Sequence, residues 1–158
     1  MADAAALRPM ALDCYIECPS PILVGLKAKV TGTFYEGDNP DPTNIVRCGT
    51  PCYCTVRIDF SGSALARLLC LKWCIKIAME SCGPGGESVG GRAVLEQKVC
   101  EQAYVEATIP VSFPTCDPCG TVYVMCVTVT AQDACGQPAP FGGYCRGEQI
   151  MVFPAGRN

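Results

Sequence analysis

The sequence LLCLKWCIKIAMESC, residues 68–82, decides the fold class. Its large apolar side chains fall on one parity, from Leu69 through Trp73 to Met79, whereas the other parity carries cysteine, lysine and glutamate. A two-residue period is that of a half-buried β-strand, and here it describes the pattern better than the 3.6-residue period of a competing helix over 64–80. We therefore predict a strand with one face in a core.

The same alternation recurs on both sides of this stretch. It predicts strands near 10–18, 26–34, 52–60, 103–111 and 121–131, and a short last strand at 150–153. The turn-rich segment 36–44 and the glycine-rich segment 83–91 are interpreted as loops. Seven to nine short antiparallel strands without a long helix predict an all-β, cysteine-rich, immunoglobulin-like β-sandwich. Residues 1–9 are expected to form a flexible N-terminal arm, and 10–158 a single domain.

Composition excludes several classes of function. The 158 residues include 14 cysteines and no histidine, so neither a Ser-His-Asp triad nor a Cys-His dyad can form. Charged residues make up 17% of the chain, the net charge is -3, and basic residues are scattered, which argues against a nucleic-acid surface. No apolar run approaches the roughly 20 residues of a membrane-spanning helix. We expect no enzymatic activity, no cofactor, no nucleic-acid partner and no membrane partner.

The run LLCLKWCIKIAMESCGPGGE, residues 68–87, has companions in YVEATIPV, GTVYVMCVTVTAQDACGQPAP and FGGYCRGEQIMVF. Together they resemble an uncharacterised bacterial family of small leaderless immunoglobulin-like β-sandwich proteins. In that pattern a tryptophan-bearing strand leads into an ES-x-GPG turn, and the last strand follows a Gly-Gly-aromatic step. The resemblance covers roughly residues 52–153. It implies the fold and a lack of recognised enzymatic activity, and it supplies no functional residues.

Cysteine spacing limits which thiols can bond to each other. Cys14 and Cys18 are four residues apart, as are Cys70 and Cys74, and on a strand this is about 13 Å at ~3.3 Å per residue. A disulfide requires Cα atoms within about 7 Å. These cysteines must therefore find partners on neighbouring strands, on loops or on another molecule.

The face on which a cysteine falls indicates its role. A first group is expected to form intrachain bonds or to lie in the core: Cys52, Cys54, Cys116 and Cys119. A second group is the candidate set for intersubunit disulfides: Cys70, Cys74, Cys126, Cys14 and Cys18. Cys70, Cys74 and Cys126 share faces with polar residues, where a thiol has no packing role. Disulfides between adjacent outward strands of one chain remain an alternative for these three. The apolar face of the first strand leaves a buried role open for the N-terminal pair.

Metal and redox chemistry are weaker alternatives. Cys116 and Cys119 form a C-x2-C motif, but there is one such motif and no histidine to complete a zinc site. Its flanks, Pro114 and Gly120, indicate a turn between strands rather than the strand-to-helix context of a thioredoxin-like motif.

The N-terminus carries Asp3 where a secretory signal would be basic, and its apolar run ends at Arg8. This predicts synthesis in the cytoplasm without a signal peptide, whereas the cysteine content favours work outside the cell or on a cell or spore surface. The favoured hypothesis is a structural protein that self-assembles into a disulfide-crosslinked filament, coat or shell. The alternatives are a monomeric disulfide-rich binding module and a cysteine-rich protein that holds zinc or buffers redox state.

Overall fold

The structure is a computed structural model that describes residues 12–17, 27–61, 70–83, 88–97, 103–113 and 116–156. The predicted arm at 1–9 and Cys18 lie outside the described residues. The described residues form nine strands and no helix. In chain order they are β1 (Leu12–Glu17), β2 (Lys27–Glu36), β3 (Ile45–Arg47), β4 (Cys52–Asp59), β5 (Lys72–Ser81), β6 (Ser88–Glu96), β7 (Tyr104–Val111), β8 (Thr121–Gln132) and β9 (Pro138–Phe153). The predicted all-β, immunoglobulin-like sandwich is confirmed.

The strands form two layers that share one edge. One layer has the order β6-β5-β8-β9 and the other has the order β1-β2-β4-β7. They join where Glu17 of β1 pairs with Gly142 of β9. At the opposite edge a Cβ atom on Gly91 of β6 would lie 3.0 Å from Ile109 of β7, so the two layers approach closely there as well.

One pairing departs from the antiparallel prediction. The short strand β3 runs parallel to the end of β9, with Ile45 opposite Met151 and Arg47 opposite Phe153. The remaining strand pairs are antiparallel.

The core is built from the predicted inward parities. The β5 side chains on that parity are all buried, namely Trp73, Ile75, Ile77 and Met79, and so is Leu71 directly before the strand. The Trp73 ring stacks on Phe60 with centroids 6.1 Å apart, and the edge of Phe141 meets it at 5.2 Å. The indole nitrogen donates a hydrogen bond of 3.1 Å to the side-chain oxygen of Gln97, which satisfies the one polar atom of a buried tryptophan.

Three strands were misread from the sequence: β3 was not predicted at all, and glycine is the reason for the other two. The segment 83–91 was predicted to be a loop, but β6 begins at Ser88, and a Cβ atom on Gly90 would lie 3.0 Å from Ile77. The last strand was predicted at 150–153 but begins at Pro138. There a Cβ atom on Gly142 would lie 2.7 Å from the Val129 carbonyl oxygen, so glycine allows β9 to pass close to β8.

In the described part of the chain, no helix is long and apolar enough to cross a membrane.

Candidate functional site

Two disulfides tie distant parts of the chain together. Cys14 bonds to Cys145 with Cα atoms 5.9 Å apart, and Cys48 bonds to Cys116 at 6.1 Å. The first bond joins β1 to β9, the two strands at the shared edge of the layers. It corrects the prediction of an intersubunit role for Cys14, because that sulfur is already bonded within the chain. A separation of 131 residues gives no sequence signal for such a pair.

Cys52 and Cys54 are buried thiols on the inner face of β4. The Cys54 sulfur lies 3.5 Å from the Met125 sulfur. Burial raises the pKa of Cys54 to about 12 and, with a smaller contribution from the charge of Glu36, raises the pKa of Cys52 to about 11. Both therefore act as small apolar side chains at neutral pH.

Cys126 corrects the sequence prediction in a different way. It shares the outer face of β8 with Thr128 and Thr130, which are exposed as expected, yet Cys126 itself is buried. The reason is Tyr144 on β9, whose hydroxyl donates a hydrogen bond of 2.8 Å to the Cys126 sulfur. Burial raises the pKa of Cys126, although the hydrogen bond from Tyr144 works in the opposite direction. Cys126 is not accessible for an intersubunit bond.

Four described cysteines are exposed and unbonded: Cys70, Cys82, Cys119 and Cys135. Among the described members of the candidate intersubunit set, Cys70 alone is fully at the surface. Cys74 is half-buried on the outer face of β5. Cys119 was assigned to the intrachain or core group, and the structure places it instead on the surface next to bonded Cys116. Cys82 and Cys135 were not in either set, although their glycine-flanked positions after predicted strands are a usable signal.

The exposed thiols lie at opposite ends of the strand pair β5–β8. We call them the Cys119 end, which holds Cys82 and Cys119, and the Cys135 end, which holds Cys70 and Cys135. At the Cys119 end, the Cys82 amide donates a hydrogen bond of 2.8 Å to the carbonyl oxygen of Val122. Val122 is three residues after Cys119 in the sequence, so Cys82 and Cys119 lie at the same end. At the Cys135 end Lys72 pairs with Gln132, so Cys70 and Cys135 flank that pair. The ten residues of β5 separate the ends by about 33 Å at ~3.3 Å per residue.

Cys119 and Cys135 are held in the same four-residue turn. The Cys119 turn is Asp117-Pro118-Cys119-Gly120, and the Cys135 turn is Asp133-Ala134-Cys135-Gly136. In each turn the aspartate side chain accepts a hydrogen bond from the cysteine amide, at 2.8 Å and 2.9 Å respectively. The aspartate carbonyl accepts another from the glycine amide, at 2.9 Å and 3.0 Å.

The glycine of each turn has positive φ, 83° in the Cys119 turn and 79° in the Cys135 turn. Because backbone and side-chain hydrogen bonds hold both turns, each thiol has a defined position at its end of the sandwich.

The Cys119 end also carries apolar surface. A hollow of about 460 Å³ is lined by Cys52, Pro110, Val111 and Phe113 together with the 49–51 loop. Beside it, on β3 and the end of β9, Ile45, Met151 and Phe153 are exposed by 55%, 41% and 41%. Exposed large hydrophobic groups in one area are typical of a contact surface.

The residues described give no support to the zinc alternative. They contain no group of three or more histidine, cysteine, aspartate or glutamate side chains arranged to hold a metal ion. In the C-x2-C motif Cys116 is bonded to Cys48, and a disulfide sulfur cannot serve as a thiolate ligand.

No protein-family model and no curated protein matches the chain. Among solved structures, the chain is similar to the soluble domain of PmoD from a Methylocystis species (Rockwell), with a TM-score of 0.40, 11% identity, and coverage of 88% of this chain and 97% of that one. It is also similar to AggA, the major subunit of aggregative adherence fimbriae type I from Escherichia coli, with a TM-score of 0.40, 11% identity, and coverage of 81% and 95%. We draw nothing about function from these two similarities.

Proposed function

We propose that this protein is a non-enzymatic structural protein that assembles with copies of itself, end to end, into a disulfide-crosslinked filament, coat or shell. The observation that carries the proposal is the placement of the four exposed, unbonded thiols, two at the Cys119 end and two at the Cys135 end. The sandwich between them has its own disulfides and needs none of these four sulfurs for its core.

Distance excludes a bond between the two ends of one molecule. The ends are about 33 Å apart, and a disulfide needs Cα atoms within about 7 Å. Among the described cysteines, an exposed thiol at one end can therefore bond to its neighbour at the same end or to a thiol of another copy. Bonds of the second kind at both ends link many copies into one assembly.

The turns that hold Cys119 and Cys135 support a covalent role. A thiol on a rigid turn loses little conformational freedom when it bonds, so less of the free energy of association is lost to ordering. The matching hydrogen bonds from Asp117 and Asp133 give both ends this property.

The apolar surface at the Cys119 end supports a noncovalent contact that precedes the bond. Ile45, Met151 and Phe153 are neighbours across β3 and β9, and their burial against a second copy would contribute about 25 cal/mol per Å² of apolar area. Such a contact would hold two copies while the disulfide forms.

Bond formation oxidises two thiols to one disulfide, with release of two protons and transfer of two electrons. A small-molecule disulfide is the oxidant that we invoke. One thiolate attacks it to form a mixed disulfide, and the thiolate of the second copy then displaces the small thiol. Oxidising surroundings are required for the product to persist, so the proposal includes a working location outside the cell or on a cell or spore surface.

A monomeric binding module is the second candidate. Two exposed thiols share each end, so Cys82 could bond to Cys119, and Cys70 to Cys135, within one chain. The hollow of about 460 Å³ at the Cys119 end would then be the binding surface. This candidate differs from the first in its product on oxidation, which is a monomer without free surface thiols.

Oxidation of end variants separates the candidates. The purified chain is reduced, oxidised with oxidised glutathione and run on a non-reducing gel. We expect a ladder that collapses with reductant, that persists in the control Cys74→Ser, and that is lost when all four end thiols are serine. A monomer whose four end thiols are paired within the chain, or a ladder that survives in the four-serine variant, would overturn the proposal.

Variants of one end also report the symmetry of the contact. If the variant Cys70→Ser/Cys135→Ser yields monomers alone, opposite ends join in the assembly, because each bond then needs a thiol from the Cys135 end of one copy and a thiol from the Cys119 end of the next. Dimers mean that like ends join through the remaining Cys119 end. Both results support end-to-end assembly, whereas an unchanged ladder contradicts it.

A further inference from the structure

The outer face of the layer formed by β6, β5 and β8 contains a groove of about 410 Å³, on the half of that face nearer the Cys135 end. Its lining includes the thiol of Cys74, two cationic side chains and three hydrogen-bonding side chains: Cys74, Lys76, Arg92, Thr128, Thr130 and Gln132. The volume is within the range of small-molecule sites, about 300–1,000 Å³.

The two cations are in an unusual position. Lys76 and Arg92 are directly opposite each other on β5 and β6, and both are exposed. Like charges that face each other across two strands are destabilising. Four residue pairs along the same strands, beyond Cys74, Lys72 instead faces Glu96 and forms an ion pair of 3.4 Å. Within the described residues no carboxylate forms such a pair with Lys76 or Arg92. A bound anion would remove the repulsion.

The thiol lies beside these cations. Cys74 is two residues from Lys76 on the same face of β5, and it is flanked across the sheet by Val94 on one side and Thr130 on the other. It is half-buried, in contrast to the four thiols at the ends. A small molecule can enter the groove, whereas a thiol on the surface of a second copy would have to be brought down onto the face of the sheet.

We propose that this groove is a binding and modification site for anionic small-molecule disulfides, which transfer one half onto Cys74. The inference goes beyond the assembly function, because it concerns a different thiol and a different partner. Lys76 and Arg92 bind the carboxylates of the ligand. Thr128, Thr130 and Gln132 supply hydrogen-bond donors to its amide and carboxylate oxygens.

The chemical step is a thiol–disulfide exchange that balances without an added oxidant. Cys74 loses its proton to solvent, and its thiolate attacks one sulfur of the ligand R–S–S–R. The Cys74–S–S–R bond forms as the original S–S bond breaks, and the leaving group departs as the thiolate R–S⁻. The protein sulfur is oxidised, and the leaving half of the ligand is reduced.

The test compares two disulfides of opposite charge in a background where the four exposed thiols and the two cysteines outside the described residues are serine. The replaced cysteines are Cys18, Cys70, Cys82, Cys100, Cys119 and Cys135. Oxidised glutathione is the anionic probe, and cystamine is the cationic probe. The rate of adduct formation at Cys74 is measured by mass spectrometry after peptide mapping. Each rate is divided by the rate of the same probe with a neutral reference thiol, N-acetylcysteine amide.

We expect the normalised rate for oxidised glutathione to exceed that for cystamine by about tenfold at low salt. In Lys76→Gln/Arg92→Gln the ratio should return to about one. The control Lys27→Gln/Arg47→Gln removes the same charge away from the groove and should leave the preference intact. A preference that survives Lys76→Gln/Arg92→Gln, a ratio near one in the background protein, or the absence of any adduct at Cys74 would overturn the proposal.

The salt dependence of the same rate ratio tests the proposal without a substitution in the groove. It therefore gives a result even if Lys76→Gln/Arg92→Gln does not fold. In the background protein, 1 M salt shortens the Debye length to about 3 Å, so the preference for the anionic probe should disappear. A preference that is unchanged at 1 M salt would contradict recognition by Lys76 and Arg92.

Discussion

The hydroxyl of Tyr144 donates a hydrogen bond to the sulfur of Cys126, over 2.8 Å, from the neighbouring strand β9. Tyr144 is itself 57% exposed, whereas Cys126 is 3% exposed. The tyrosine therefore covers a thiol that strand parity alone directs towards solvent. The same contact raises the pKa of the Tyr144 hydroxyl to about 12, chiefly because that hydroxyl is the donor to the Cys126 sulfur.

Two substitutions of Tyr144 should change the reactivity of Cys126 in opposite directions. Tyr144→Ala uncovers the sulfur, so alkylation of Cys126 by iodoacetamide should become faster. Tyr144→Phe retains the ring but removes a hydrogen bond that lowers the pKa of Cys126, so alkylation should become slower. Peptide mapping after timed alkylation at pH 8 measures both rates. Equal rates in the two variants would show that Tyr144 does not control access to this thiol.

The hydrogen bond between Trp73 and Gln97 predicts a cost for removing the buried acceptor. Gln97→Ala leaves the indole donor of Trp73 without this partner, and we expect a loss of about 1–3 kcal/mol in the free energy of unfolding. Urea unfolding followed by the fluorescence of Trp73, the one tryptophan of the chain, measures it. Exposed Gln149 provides the control, since Gln149→Ala should change stability by less than about 0.5 kcal/mol. A similar loss in both variants would contradict a specific role for Gln97.

The close approach of β9 to β8 predicts that replacing Gly142 by a residue with a Cβ atom destabilises the fold. A Cβ atom there would lie 2.7 Å from the Val129 carbonyl oxygen, so Gly142→Ala should force the strands apart and cost about 1–3 kcal/mol. Gly156 has no atom within 4 Å of the equivalent position, and Gly156→Ala should leave stability unchanged. Thermal unfolding of both variants tests this. An unchanged melting temperature for Gly142→Ala would show that the strands can separate at no cost.

The buried thiols predict a loss of stability in alkaline solution. The pKa of Cys54 is about 12 in the folded chain against an ordinary value of 9.0, and that of Cys52 is about 11. Between pH 9 and 11 the unfolded chain therefore loses protons that the folded chain keeps. Stability should fall as the pH rises, by at most about 1.4 kcal/mol per pH unit for each thiol.

Chemical unfolding at a series of pH values measures this slope. Cys54→Ala should reduce the slope, whereas Val56→Ala, a packing loss on the same strand without a titrating group, should lower stability but leave the slope as it was. If the slope is the same in Cys54→Ala as in the unsubstituted chain, Cys54 does not contribute to it.

Strand periodicity predicted the core faces, because one-sided burial on a strand leaves a local signal. The inward set around Trp73 and the buried pair Cys52 and Cys54 follow from it directly. What it could not predict depends on contacts distant in sequence. Gly90 and Gly142 resemble loop glycines until the neighbouring strand that they accommodate is known. The cover that Tyr144 provides for Cys126 comes from a residue eighteen positions along the chain.

The candidate site was predicted less completely than the fold. The outward-facing positions of a predicted strand identified Cys70 and Cys74 as surface thiols. The alternation of residues along a strand does not say which strand lies beside β1, so the bond between Cys14 and Cys145 could not be predicted. The two D-x-C-G turns are visible in the sequence. Their placement at opposite ends of the sandwich depends on the pairing of β5 with β8.

End-to-end covalent assembly is tested most directly by mapping disulfides in a mixture of isotopically labelled and unlabelled chains. Equal amounts of the two are reduced, mixed, oxidised with oxidised glutathione, digested without reductant and analysed by mass spectrometry. We predict linked peptides that contain Cys70, Cys82, Cys119 or Cys135, with labelled and unlabelled halves joined at random. Linked peptides at these positions whose two halves always carry the same label would show that the bonds lie within single chains, and would contradict the account.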